Sequence, residues 1–480
     1  MKYYGKEQKG TTTMEEKTAA QLLSEKLMYA PEHAMKHMDE SEVRAADTFC
    51  DGYMRFLNDC KTEREVAAFV QALAESKGFE PFDSGKQYKT GDKVYVLNRG
   101  KAIILAVFGK RPVTDGVRIA AAHIDSPRLD LKPNPLYEDE EMAFFKTHYY
   151  GGIKKYQWTA IPLSLHGVVL RADGTSVTVS VGEAADEPKF VITDLLPHLA
   201  KEQEKRTLAE GIRGEELNVL VGSRPFSTDA GSEAVKLQVL NLLFEKYGMT
   251  EADFVSAELE VVPAMPVCDI GFDRSMIGGY GHDDRVCAYP SMAAVFDAAE
   301  PEYTCLTVLT DKEETGSDGN TGLCSAYLQY FIEDLARIEG AAGYQVLRNS
   351  KCLSADVNAA FDPTFPSVQE KRNASFINRG VVITKYTGAR GKSGTSDASA
   401  EYMSFVRRML DDAHVVWQQG ELGAVDAGGG GTVAKYIANL DVDVVDLGVP
   451  VLSMHAPFEV VSKLDVYMAY RAFKAFFESV

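Results

Sequence analysis

The hydrophobic positions of this chain fall into two rhythms. Over residues 20–38 and 41–76, apolar residues return every three or four positions. Leu22, Leu23 and Leu27, and later Ala67, Phe69, Val70 and Leu73, would line one side of a helix. Thr62, followed three positions on by Glu65 and then an apolar run, fits a capping box. Short continuous apolar runs then take over, the pattern of strands buried on both faces. Residues 93–98 and 102–108, joined by Arg99, Gly100 and Lys101, predict a hairpin, and 117–122 a further strand.

From about residue 131 to 263 the texture changes. Residues 167–172 and 176–181 alternate polar and apolar positions with Gly174 between them, as half-exposed antiparallel strands do. Residues 202–218 are charged and glycine-bearing and predict a flexible loop, and 234–247 predict a helix. From 265 onward, strand-like runs at 305–309, 352–355, 381–384, 442–447 and 450–454 alternate with helical patterns at 286–299, 323–338, 398–411, 432–439 and 463–480. This alternation predicts an α/β fold, a three-layer sandwich with a mixed central sheet. One domain would be built from residues 1–130 and 265–480, with a β-rich domain, 131–264, inserted between its two parts.

Composition narrows the function classes. The chain has 480 residues, 45% hydrophobic and 25% charged, enough to bury a large core. A net charge of −19 argues against a nucleic-acid or anionic-membrane partner, since phosphate binding needs clustered Lys and Arg. No window reaches the roughly 18 apolar residues of a membrane span, and the first residues lack the apolar segment of a secretory signal. The seven cysteines are scattered and never spaced C-x-x-C, which fits neither a disulfide framework nor a cysteine zinc site. A reducing, cytoplasmic location is expected.

The chemistry lies where the apolar runs stop. Four runs end in groups that bind metals: His123 with Asp125, the pair Glu313 and Glu314, Asp356, and His455. A fifth acidic point, Asp283-Asp284, opens a helix. In open α/β sheets, ligands gather outside the carboxyl ends of the strands, so these distant residues are expected to meet at one edge. Two histidines with several carboxylates suit divalent zinc, with cobalt or manganese as substitutes. A shared carboxylate is a natural bridge in a two-ion site. Adjacent glutamates in a turn project differently, so one can ligate while the other moves a proton. Each signal alone has a plainer reading: a packed histidine, a helix cap, an acidic turn. The conjunction at four strand ends tells against those.

Other stretches yield less. Arg390-Gly-Lys-Ser-Gly394 lacks the first glycine of a phosphate loop, because Tyr386 stands in its place. No G-x-S-x-G elbow accompanies Ser396 and Asp397. Lys385, Arg390 and Lys392 are candidates to meet an acidic side chain or a peptide carboxylate, with a solvated face as the alternative. The run Gly428–Gly431 permits close backbone approach, and Gly429 and Gly430 are candidate walls of a substrate pocket.

The segments Ala121-Ala-His-Ile-Asp-Ser-Pro-Arg128, Gly281-His-Asp-Asp-Arg285, Asp311-Lys-Glu-Glu-Thr-Gly316, Ser354-Ala-Asp356 and Ser453-Met-His455, in this order along nearly the whole chain, resemble the M18 family of metalloaminopeptidases. That family includes the aspartyl aminopeptidases, and the chain is more distantly similar to the M42 and M20 dinuclear zinc peptidases. The resemblance implies two divalent ions, with His123 and Asp356 on one, Glu314 and His455 on the other, and Asp283 bridging. It implies that Asp125 orients His123 and that Glu313 is the general base for a metal-activated bridging water. It implies peptide substrates with a free N-terminus, acidic N-terminal residues among them. It further implies that the insert mediates dimerisation, that His198 reaches the partner's active site, and that dimers assemble into a larger shell such as a dodecamer. Two alternatives stay open: an M20-like amidohydrolase acting on N-acyl amino acids, and an inactive peptide-binding scaffold of the same fold.

Overall fold

Strand Ala102–Val107 is buried at every position. Ile103, Leu105 and Val107 enter one core cluster, while Ile104 and Ala106 enter another. A run without polar alternation needs such cover on both faces, and the computed structural model, which describes residues 17–227 and 231–480, supplies it. Helices Glu40–Asp59, Glu63–Ser76, His282–Asp297, Ala400–Asp412 and Lys463–Glu478 pack into the first cluster. Helices Tyr327–Ile338, Gly343–Leu347 and Ala434–Ala438 pack into the second. The result is a three-layer α/β sandwich around a mixed nine-stranded sheet.

The middle of that sheet positions the site. Strands Cys305–Thr310, Arg118–His123, Lys351–Ser354 and Asp443–Gly448 lie side by side and parallel. Thr310 is level with His123, and Ser354 with both Ala121 and Asp446. Their carboxyl ends therefore share one edge. The predicted hairpin is also present, with Lys93–Asn98 antiparallel to Ala102–Val107.

A second sheet of seven antiparallel strands runs from Arg128–Asp139 to Ala257–Pro263 and has its own core, to which helix Ala234–Tyr247 contributes Val235 and Val239. Its longest hairpin, Arg128–Asp139 with Met142–Tyr150, has no clear signal in the sequence. Pro133, Pro135 and the charges around them break the alternation, and the register shifts between Leu131 and Leu136. A third sheet of five short strands, also unforeseen, links Asn358–Ala359, Pro450–Leu452, Glu459–Ser462, Met276–Gly279 and Cys268–Ile270.

Helix limits differ from expectation at the ends. The pattern over 20–38 is realised as helix Ala19–Leu27 and, separately, a short 3-10 turn Ala34–Lys36. Pro31 explains the break, since it disfavours helical backbone at the residue before it. Helix Ala19–Leu27 lies in an N-terminal unit that ends at Glu32, and residues 33–480 make up the other unit. Residues 1–20 are polar, and a loose start is expected there; of these, 1–16 lie outside the described residues, and helix Ala19–Leu27 already begins within the remainder. Thr62 and Glu65 do form the capping box at the start of helix Glu63–Ser76. Among the described residues, no helix is long and apolar enough to cross a membrane.

Candidate metal centre

Strand Arg118–His123 delivers His123 to the shared edge, 1% exposed. Its Nδ1 lies 3.0 Å from the Asp125 carbonyl oxygen and 3.3 Å from Asp125 Oδ1. A proton held there leaves Nε2 free to face the centre. Asp125 is itself fixed on three sides. The Glu313 and Glu314 backbone N–H groups donate to its two carboxylate oxygens at 3.1 and 3.2 Å, and the Tyr150 hydroxyl donates at 2.7 Å. One buried carboxylate thus ties the loop after Arg118–His123 to the loop after Cys305–Thr310.

Asp283 stands at the middle of the cluster. Its Oδ1 lies 3.1 Å from His123 Nε2, and its Oδ2 lies 3.2 Å from His455 Nε2. His455 Nε2 is also 3.5 Å from Glu314 Oε1. On its far side, His455 Nδ1 donates to the Gly152 carbonyl at 2.8 Å, so its ring orientation is set from the segment after strand Met142–Tyr150. Ser126 Oγ donates to the Asp283 carbonyl at 2.5 Å and accepts from the buried Arg285 at 2.9 Å.

Three groups of potential ligand atoms each fall within 4.8 Å of one another: Asp283 with Glu314 and His455, His123 with Asp284 and Asp356, and His123 with Glu313 and Glu314. Of the seven metal-site residues expected from the sequence, counting Asp125 and Glu313, all gather here. Asp284 is the addition. It is fully buried, and neither carboxylate oxygen has a hydrogen-bond partner. The sequence signal for it was Asp283-Asp284 itself, in which nothing ranks one acid over the other.

The electrostatics call for cations. Burial, the largest cause, pushes the pKa values of Glu314, Asp356 and Asp284 well above the ordinary range, with neighbouring acids adding to the rise. Burial also pushes Glu313 up to about 7, against His123 and with Asp125 and Asp283. Burial opposes charge on His123, but hydrogen bonds to Asp125 and Asp283 outweigh it and raise its pKa. Glu314 Oε1 is another buried oxygen without a hydrogen-bond partner. Two imidazoles facing this many desolvated carboxylate oxygens form a donor set that suits divalent zinc.

The cluster opens into a cavity of about 480 Å³, whose wall includes Gly152, Asn358, Thr387, Gly429, Gly430, Lys435 and Tyr436. Gly429 has φ +107°, and an added Cβ would meet the Gly388 carbonyl oxygen at 1.9 Å. Only glycine lets the two loops touch there. The expected cations stand elsewhere. Lys385, Arg390 and Lys392 are not part of this wall. Lys385 and Lys392 both pair with Asp397, and Lys392 lies over the Tyr386 ring. Lys435, which stands within a helical pattern in the sequence and carries no motif, is the one lysine or arginine on the wall among the described residues. His198 sits in the turn after Pro197 and outside this wall. His282 donates to or accepts from the Tyr53 hydroxyl at 2.7 Å.

A family model described as aminopeptidase I zinc metalloprotease (M18) matches residues 56–477. The chain belongs to the M18 family. It is 47% identical over 452 residues to the probable M18 family aminopeptidase 1 of Clostridium acetobutylicum, covering 92% of this chain and 97% of that one. The crystal structure of an M18 aminopeptidase from Thermotoga maritima superposes with a TM-score of 0.89 at 42% identity, over 94% of this chain and all of that one. The fold extends to the S. cerevisiae mApe1 dodecamer, with a TM-score of 0.74 at 20% identity over 91% of this chain and 97% of that one. The M18 chain is accordingly a metallo-aminopeptidase.

Proposed function

We propose that this M18 enzyme is a dinuclear zinc aminopeptidase that removes N-terminal residues, acidic ones included, from peptides. The observation that carries the reading is Asp283, whose two carboxylate oxygens each face one histidine, His123 and His455. That is the arrangement of a bridge between two ions. His123 and Asp356 would hold one ion, and Glu314 and His455 the other. Asp284 borders the first group. Bound there, the ions would polarise the scissile carbonyl and lower the pKa of an attacking water.

The remaining work falls to side chains of this chain. Asp125 holds the His123 ring and the backbone N–H groups of Glu313 and Glu314. The Glu313 carboxylate accepts no hydrogen bond among the described residues, and its Oε2 lies 4.0 Å from His123 Nε2. It takes the proton from the attacking water and returns it to the leaving amine, the role of a positioned general base. A free substrate amine would be anchored beside the acidic cluster.

Lys435 supports the preference for acidic residues. It pairs with no carboxylate among the described residues, and its ammonium lies 4.7 Å from the Tyr436 ring centroid. Once two ions offset the carboxylates, it is the uncompensated charge on the wall. The seven cysteines, all free, fit a reducing cytoplasm. For assembly, the support is Leu195, Leu196 and Leu199, which flank His198 and are 52, 50 and 69% exposed. Solitary exposed leucines are ordinary, but a cluster marks a contact surface. We take the insert to be the dimerisation element, His198 to act in the partner's site, and the assembly to be a closed shell like the yeast dodecamer.

The purified protein tests the central reading by metal analysis and a substrate panel. Two zinc ions per chain and cleavage of aminoacyl-anilides are expected. Cleavage of N-acyl amino acids in preference to aminoacyl-anilides would replace it with the amidohydrolase reading.

A further inference from the structure

Glu459 opens strand Glu459–Ser462 and pairs with Gly279 across the five-stranded sheet. It is 1% exposed, and no lysine or arginine pairs with it among the described residues. Burying a carboxylate in this way is costly unless its oxygens are well satisfied. Here both are satisfied by backbone amides. The His455 N–H donates to Oε1 at 2.8 Å, and the Asp283 N–H donates to Oε2 at 3.2 Å.

The identity of the two donors carries the inference. Asp283 is the carboxylate between the histidines, and His455 is one of those histidines. Neither backbone is held by a regular element. His455 has φ +65°, and Asp283 has non-helical angles (φ −77°, ψ 109°) at the start of its helix. Glu459 lies four residues after His455, and its strand partner Gly279 lies four residues before Asp283. Its side chain is thus anchored beside both loops and spans them. A neutral amide could not do the same, because Gln offers one acceptor and would turn an N–H₂ donor toward a backbone donor.

We propose that Glu459 is a positioning residue of the metal centre. Through two backbone amides, one carboxylate fixes Asp283 relative to His455 and so sets the metal affinity of the site they share. The inference rests on the proposed reading of these two residues as ligands. It differs from the role of Asp125, which grips a histidine ring directly.

A matched control exists. Asp465 is also fully buried and accepts two backbone N–H groups, from Asn378 at 2.6 Å and Gly380 at 2.7 Å, but stands outside the metal cavity. Full-length wild type, E459Q and D465N are compared by zinc competition with a chromogenic chelator and by thermal unfolding in EDTA. Both variants should lower the EDTA midpoint. Only E459Q should weaken zinc at one site, by about 10–100-fold, the usual effect of removing a group that orients a ligand. E459D keeps the charge but is one methylene too short to reach both amides, and should show a smaller loss. It replaces E459Q in the comparison if E459Q does not fold. Unchanged zinc affinity in the Glu459 variant, or an equal loss in D465N, overturns the inference. A wild type that binds no second ion overturns the dinuclear reading and the inference with it.

Discussion

Glu313 and Glu314 are identical in chemistry and adjacent in the chain, yet their surroundings separate them. The Glu314 side chain is 3% exposed and reaches toward His455, while that of Glu313 is 17% exposed and reaches toward His123. Asp125 makes the difference by holding both backbone N–H groups, which fixes the direction in which each side chain leaves the turn. E313Q should therefore lower kcat by about 10²–10⁴-fold, the usual share of a general base, with bound zinc unchanged. Metal loss in parallel with activity would make Glu313 a ligand instead. Lys435 allows a second test at this scale. K435M should reduce kcat/KM for substrates with N-terminal Asp or Glu by about 10–100-fold, as loss of a charged hydrogen bond would, with a smaller effect on neutral residues. Equal effects on both would remove Lys435 from substrate selection.

At the scale of elements, three parallel strands bring His123, Glu313, Glu314 and Asp356 to one edge, His455 comes from beyond strand Pro450–Leu452 of the five-stranded sheet, and the seven-stranded sheet meets this frame through a few buried polar contacts. His166, on strand Leu163–Leu170, lies 2.8 Å from Glu65 of helix Glu63–Ser76 and 2.9 Å from Glu183. Burial opposes its charge, but Glu183 and Glu65 outweigh burial and raise its pKa to about 9. A histidine whose pKa is raised on folding adds stability that is complete below its unfolded value of about 6.5. That stability is lost as pH climbs through the folded value. The difference in unfolding midpoint between wild type and H166N should be largest near pH 6 and shrink steadily toward pH 9 and above. The stabilisation lost is on the order of 2–4 kcal/mol. Thermal melts across this range, with metal content held constant, check it, and a difference independent of pH would mean that His166 packs without charge.

At the scale of the whole molecule, the proposed assembly can be tested through its composite site. If His198 completes the site of a partner, H198A and E313Q damage different halves of the same composite site. Each should be nearly inactive alone. Mixed and reassembled, they should regain activity, because a mixed dimer contains one site with Glu313 from one chain and His198 from the other. No recovery after verified subunit exchange would confine His198 to its own chain. Leu195, Leu196 and Leu199, exposed beside this histidine, are consistent with such a contact.

Much of the fold was legible from local pattern. Continuous apolar runs such as 102–108 identified doubly covered strands, because a strand with no polar face must be buried on both sides. Helix Glu63–Ser76 announced its own start through Thr62 and Glu65. The hairpin of Arg128–Asp139 with Met142–Tyr150 left no such trace, since its strands are held by cross-strand partners and not by their own alternation. The same division runs through the metal centre. The sequence by itself determined which residues could ligate, because ligands at strand ends follow apolar runs that can be read directly. Only the tertiary structure decided how they share the work. It set Asp283 between two histidines, buried Asp284 beside Asp356, put Lys435 rather than Lys385, Arg390 or Lys392 on the cavity wall, and joined Asp283 to His455 through Glu459. These depend on distances between segments far apart in the chain, which packing sets and local pattern does not record.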